Sequence, residues 1–230
     1  MRANKIIADA LGISRRKADY VIEHNRVVIN GIHTHSGMSF EQVTSISIND
    51  KVQPLAPVKK PITIMLNKPI GYVCSREGQG SKTIYELLPT ADLKTLNPIG
   101  RLDKDSSGLL LMTNDGQLLN QMAHPSQNKT KVYEITLEKP LKFDDFISIT
   151  NRGVDIADKR LSLFDLTADL KNPSYFKENC KNWIATLQEG RNRQIRRTFY
   201  SLKYDVTGLH RINFGEHNIG ELSSGKYHIL

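Results

Sequence analysis

The spacing of apolar positions divides the chain into a short helical opening and a longer mixed segment. Ile6, Ile7, Ala10 and Leu11 recur at helical spacing, and Gly12 follows as a stop, so a helix is predicted there. Ser14 is placed to cap a second helix with Ala18, Val21 and Ile22 on one face. "VVINGIHT" then carries Asn30-Gly31, a strong hairpin signal, and "SISIND" alternates with Ile46 and Ile48 on one side. Residues 1–53 therefore read as a small unit of two helices and short strands. Pro54, Pro57 and Pro61 stiffen 54–61 into a linker.

From residue 62 to 230 the period alternates. "ITIML", "LLLMT", "KVYEITL" and "WIATL" read as strands; "SKTIYELL", "GQLLNQM" and "RQIRRTFYSLK" read as helices, the last with Ile195, Phe199 and Leu202 on one face. Interleaved strands and helices with turn-rich joints predict an α+β fold with a mostly antiparallel mixed sheet.

Composition narrows the class. In 230 residues, 39% are hydrophobic, enough for real cores and against wholesale disorder. No apolar run reaches the length of a membrane span, and "MRANKIIADALGISRRK" lacks the apolar stretch of a secretory signal. Cys74 and Cys180 are far apart and form no CxxC pair, so a disulfide scaffold is not expected and the cytoplasm is the expected compartment. The formal net charge of +8 points to a polyanionic partner, nucleic acid before a membrane surface.

The placement of charge adds to this. Arg15, Arg16 and Lys17 open the second predicted helix, where cations oppose the macrodipole. Phosphate contact is a better reason for them than local stability, because backbone N–H groups point the same way. The densest basic stretch is 189–211, which carries Arg191, Arg193, Arg196, Arg197, Lys203 and Arg211 against Glu189 and Asp205, a stretch suited to gripping phosphates.

Candidate chemistry centres on "GRLDKDSSGLLLMTNDG", 100–116, where two aspartates sit directly before an apolar run. An EF-hand fits only its first half: Asp103, Asp105, Ser107 and Gly108 match, but Asn114 stands where the bidentate Glu is needed. "GQGSKT" lacks the P-loop spacing, and His33 and His35 have no third zinc ligand in view. What remains is a metal-free carboxylate on a loop anchored to a buried strand, which suits chemistry. A turn aspartate capping its own backbone is the alternative, and it fits Asp105 better than Asp103.

These segments resemble known families. "SRRKADYVIEHNRVVING" is similar to the α-L RNA-binding module. "GRLDKDSSGLLLMTNDG", "LNKPIGYVCS" (66–75), "TIYELLP" (83–89), "KVYEITL", "LQEGRNRQIRR" (187–197) and the C-terminal "LHRINFGEHNIGELSSGKYHIL" resemble, in order, the pseudouridine synthases of the ribosomal small-subunit pseudouridine synthase A family, a group that includes several large-subunit enzymes. The resemblance implies isomerisation of uridine to pseudouridine in RNA, with no cofactor and no metal. It implies a catalytic Asp103, a Tyr133 that stacks on the target base, and an Arg196 that keeps Asp103 ionised in a largely apolar, water-shielded pocket. Arg15, Arg16, Lys17, Arg101, Arg191, Arg193 and Arg197 are the expected RNA contacts, and a monomer is expected. Asn192 and Gln194 are similar to the large-subunit members, and Arg193 and Arg196 stand where the small-subunit member has a histidine and a lysine, so 23S ribosomal RNA is expected before 16S or transfer RNA. The rival classes are a non-catalytic ribosome-assembly factor and a base-releasing glycosylase.

Overall fold

The computed structural model describes residues 1–55, 60–123, 129–158, 160–168 and 175–230. Residues 56–59 of the expected linker thus lie outside the described residues. The chain forms two compact units, Met1–Lys60 and Pro61–Leu230.

In the first unit, helix α1 spans Ala3–Leu11 and ends on Gly12 at φ 64°, a left-handed value that costs glycine nothing. Helix α2 spans Arg15–His24, and the Ser14 hydroxyl accepts a hydrogen bond from the Lys17 N–H at its start. Strands β1 (Val27–Ile29), β2 (Ile32–His33), β3 (Ile46–Ile48) and β4 (Lys51–Val52) form a sheet in the order β2-β1-β3-β4. Asn30 and Gly31 both take positive φ, 52° and 77°, as the two-residue turn between β1 and β2 requires. Ile6, Ile7, Ala18, Ile22, Val27, Ile29 and Ile46 close the core.

Among the described residues, the second unit is built on a nine-stranded mixed sheet. Its main path uses β5 (Thr63–Lys68), β7 (Ser107–Thr113), β8 (Lys131–Leu137), β9 (Asp165–Thr167), β10 (Asn182–Leu187), β11 (Val206–Phe214) and β13 (Tyr227–Ile229), in the order β13-β5-β7-β11-β8-β10-β9. Strand β6 (Asn97–Ile99) pairs with β7, and β12 (His217–Asn218) pairs with β11. Only the β7–β11 pairing is parallel among the described strands. The fold is the predicted α+β class.

Strand β7 explains the apolar run. Leu109 and Leu111 enter one core with Ile99 and Phe214; Leu110 and Met112 enter another with Ile64, Leu66 and Ile84. A strand buried on both faces needs continuous rather than alternating apolar residues. A third core gathers Trp183, Phe146, Phe164, Ile195 and Phe199 where helix α6 (Gln194–Ser201) meets β8 and β10.

One local expectation changes. The segment "SKTIYELL" forms only a 3₁₀ turn at Ile84–Leu87, started by a capping box between Thr83 and Glu86. Helix α3 (Ala91–Lys94), helix α4 (Gly116–Ala123) and helix α5 (Phe143–Ile147) with its π-turn Ser148–Arg152 complete the unit.

Candidate active site

The loop from Gly100 to Ser106 runs into β7, and the segment 68–74 holds it at three residues. The Gly71 N–H donates to Lys104 O at 2.7 Å. The Cys74 thiol meets both backbone groups of Leu102, donating to its carbonyl at 3.3 Å and accepting its N–H at 3.4 Å. Lys68 is fully buried and donates from Nζ to Ser106 O at 2.7 Å and Pro69 O at 3.1 Å. Within the loop, the Ser106 N–H donates to Asp103 O. A carboxylate between such fixed points loses little freedom when substrate arrives.

Burial, the largest influence, lowers the pKa of Lys68; Cys74, Asp103 and Asp105 oppose this and Arg211 adds to it. Burial likewise pushes the Cys74 thiol up, so it serves as a neutral hydrogen-bonding group rather than a nucleophile.

The basic motif at the start of α6 closes over the loop. Arg193 takes φ 47° at the helix start and forks its guanidinium onto Asp105, at 2.9 and 2.8 Å. Its Nη1 also stands 3.7 Å from Asp103 Oδ2. Arg193's hydrogen bonds are the main cause of a lowered Asp105 pKa. Arg196 is more deeply set. It donates to Val206 O at 2.6 Å and to Asp105 O at 2.7 Å. Its Nε lies 3.2 Å from Asp105 Oδ2 without hydrogen-bond geometry.

Asp103 opens onto a cleft of about 860 Å³. Tyr133 of β8 and Arg211 of β11 face each other across the sheet register and both line it, as do Arg101, Leu209 and Phe214. The β8–β11 pairing shifts register between Arg211 and Asn213. Such a bulge turns Phe214 onto the face already occupied by Leu209 and Arg211. The cleft offers the carboxylates of Asp103 and Glu189, one phenol ring and several cations, with Glu189 bonded to Arg191 and Gln194. Among the described residues no group of three or more His, Cys, Asp or Glu is placed to hold a metal ion.

A family model described as RNA pseudouridylate synthase matches residues 62–201, most of the second unit. The chain belongs to this family. The pseudouridine synthase is 33% identical over 231 residues to "Ribosomal small subunit pseudouridine synthase A" of Salmonella typhimurium, covering 100% of the chain and 96% of that relative. It is 32% identical to the "Dual-specificity RNA pseudouridine synthase RluF" of Salmonella typhi, covering 100% of the chain and 75% of that relative. A crystal structure of a pseudouridylate synthase superposes with a TM-score of 0.68 at 30% identity, covering 100% of the chain and 96% of that structure.

The synthase's geometry changes several expectations about residue placement. Asp103 does not sit in an apolar, shielded pocket: its side chain is 37% exposed and cations surround it. The guanidinium within ion-pair distance of Asp103 belongs to Arg193 rather than Arg196, whose hydrogen bonds go to backbone carbonyls. Arg191 is only 14% exposed, and bonds Glu189, Arg160 O and Leu161 O. Arg197 bonds Asn192 O, Ile156 O and Ala157 O. Much of the basic patch is therefore structural hydrogen bonding. Arg101 remains exposed at the cleft, and Arg16 and Lys17 remain exposed on α2. Arg15, also exposed, bonds Asn4 Oδ1. Sequence reasoning missed Lys68 and Cys74, and took Arg211 only as one member of the basic stretch 189–211. The signal for Lys68 was a lysine ending an apolar strand directly before Pro69; that position ordinarily reads as a solvent-facing end.

Proposed function

We propose that the enzyme isomerises a uridine of ribosomal RNA, with Asp103 as its catalytic carboxylate. The observation that carries this is the convergence of Asp103, Tyr133 and a cation-lined cleft on one loop and two adjacent strands. The reaction breaks N1–C1′, turns the base and forms C5–C1′, so no atom is gained and no redox partner is required. Asp103 either attacks C1′ or removes the C2′ proton, and the Arg193 guanidinium stands 3.7 Å from the carboxylate that does so. Tyr133 stacks on the base once it leaves its RNA stack, offsetting about 1–3 kcal/mol of that cost. Arg196 acts on Asp103 through the loop, by fixing Asp105 O. The Met1–Lys60 unit acts as an α-L module that recruits structured RNA through Arg16 and Lys17.

Small-subunit ribosomal RNA is the favoured substrate, because relatives matched over the full chain carry that name. Large-subunit RNA is the second reading. It rests on Asn192, Arg193 and Gln194, yet Arg193 is bound to Asp105 and Gln194 to Ser162 and Glu189, which leaves those two less free to read a target.

The test is to incubate the protein separately with unmodified 16S, 23S and transfer RNA transcripts carrying C5-tritiated uridine. Tritium release with a single mapped pseudouridine in 16S is expected. A site in 23S alone would select the second reading, and release of free uracil would make the enzyme a glycosylase. Asp103→Asn should abolish release while RNA affinity stays within a few-fold. A variant keeping even about a tenth of the wild-type rate would remove Asp103 from the chemistry.

A further inference from the structure

Arg211 is 2% exposed, yet its guanidinium is only partly satisfied. Nε donates to Leu109 O at 2.8 Å, while Nη2 is buried with no hydrogen-bond partner among the described residues. No carboxylate of the described residues is paired with it. A second cation stands nearby: Arg211 Cζ and Lys131 Nζ lie 5.0 and 5.5 Å from the centroid of the Phe214 ring. Burial, then the charge of Arg211, lowers the pKa of Lys131, against the opposing charge of Glu189. Glu189 itself is bonded to Arg191 and Gln194. Both cations line the cleft that Asp103 and Tyr133 share.

An unpaired buried cation is costly, and an apolar side chain of similar size would fill the same space at lower cost. The arrangement makes sense if the missing acceptor comes with the substrate. Two features limit what that acceptor can be. Arg211 sits on the sheet floor beside Tyr133 rather than at the exposed rim, so a base reaches it more readily than a backbone phosphate. The reaction also creates negative charge on the base itself. When N1–C1′ breaks, its electron pair stays with uracil and spreads over N1, O2 and O4. C1′ is completed by a lone pair of the Asp103 carboxylate or, after loss of the C2′ proton to Asp103, by a C1′–C2′ double bond. The pair is returned when C5 bonds C1′, as the Asp103–C1′ bond breaks or the proton held by Asp103 goes back to C2′; the C5 proton then leaves to solvent and N1 takes one up.

We propose that Arg211, with Lys131 beside it, is the binding site for a pyrimidine carbonyl oxygen and stabilises the uracil anion while the base is detached. This rests on the reading of the cleft as the seat of the target uridine. A fixed cation that needs no reorientation is suited to charge that exists only after bond cleavage, and arginine keeps its charge where a buried lysine can lose it.

The experiment compares the full-length wild type with Arg211→Met and Arg211→Lys. Three quantities are read: melting temperature, RNA affinity as a function of salt, and the single-turnover rate of tritium release. Arg211→Met is expected to melt at or above the wild-type temperature, because it replaces an unpaired buried charge. Its rate should fall about 10²–10³-fold, the range for loss of one preorganised donor. RNA affinity should stay within about threefold with an unchanged salt slope. Arg211→Lys should recover at least roughly tenfold of the lost rate, since charge without the fork is partly sufficient. These readings differ from the Asp103 test, because Asp103→Asn removes turnover whether or not Arg211 touches the base. A folded Arg211→Met within about tenfold of the wild-type rate would overturn the proposal. So would a fall in affinity and salt slope that matches the fall in rate, which would assign Arg211 to a phosphate. Failure of both variants to fold would assign it to the framework and equally overturn the proposal.

Discussion

Arg193 binds both oxygens of Asp105 and at the same time stands 3.7 Å from Asp103, so one guanidinium links the two aspartates of the loop. Arg193's hydrogen bonds hold the Asp105 carboxyl below the usual carboxylate range, and a depressed acid stabilises the fold above its unfolded pKa of about 3.9. That contribution disappears as pH falls through the lower folded value. Both side chains are more than a third exposed, so about 0.2–1 kcal/mol is expected. Urea melts of wild type and Asp105→Asn should differ by a constant amount above about pH 5 and converge in acid. A difference that persists unchanged at the lowest pH would exclude the ion pair as its source.

Arg193→Ala should slow turnover by about tenfold, or ~1.4 kcal/mol, because it removes the cation within ion-pair distance of Asp103. The measurement is the single-turnover rate at saturating RNA. An unchanged rate with weaker RNA binding would make Arg193 a phosphate contact.

Arg196 carries a different consequence, since its two hydrogen bonds tie the Asp103 loop to Val206 at the start of β11. Arg196→Lys cannot span both carbonyls and should cost about 1–3 kcal/mol in urea unfolding. Equal stability of the two proteins would show that the bridge is dispensable.

Gly108 has φ 106°, and a Cβ there would stand 2.2 Å from Arg211 O and 2.5 Å from Arg211 N. Gly108→Ala meets a rarely tolerated backbone conformation and a collision with backbone rather than a yielding side chain. The expected loss is about 2–6 kcal/mol, read as the shift in urea midpoint at constant slope. A shift near zero would mean that the β7–β11 contact relaxes freely.

Lys68 gives a pH prediction of the same sign as Asp105, but in an alkaline window. Burial lowers its folded pKa, so between that value and about 10.4 the unfolded chain binds the extra proton. Wild-type stability should therefore rise with pH across this window relative to Lys68→Met. Melting temperatures of the two proteins from about pH 7 to 11 test this, and parallel curves would contradict it.

Arg16 and Lys17 lie exposed on the first turn of α2. Replacing both by Ala should lower the slope of log K against log salt by about 0.7–0.9 for each lost contact, without changing the turnover rate of bound RNA. An unaltered slope would separate the Met1–Lys60 unit from the phosphate backbone.

Much of the fold was legible because local signals agreed with one another. The Gly12 stop, the Ser14 cap and the Asn30-Gly31 turn each appear where their backbone chemistry places them. The short 3₁₀ turn at Ile84–Leu87 was not, because Pro89 and Thr90 end it before an α-helix can develop. Strand β11 was not read as a strand either. His210, Arg211 and Asn213 interrupt its apolar pattern, and the bulge that accommodates them depends on its partner β8.

The sequence by itself determined the reaction family, the loop that bears Asp103 and the β7 run that anchors it. Those depend on residues adjacent in the chain, where spacing alone reports geometry. Only the tertiary structure decided which cation serves which carboxylate. Arg193 and Arg196 are three residues apart on the same motif, and both approach a loop nearly a hundred positions away. The left-handed start of α6 turns one onto the aspartates and sets the other against carbonyls. The same holds for Arg211, whose Nη2, left without a hydrogen-bond partner among the described residues, owes its burial to the packing of β7, β8 and β11. Burial and pairing are properties of neighbours in space, and no local pattern encodes them.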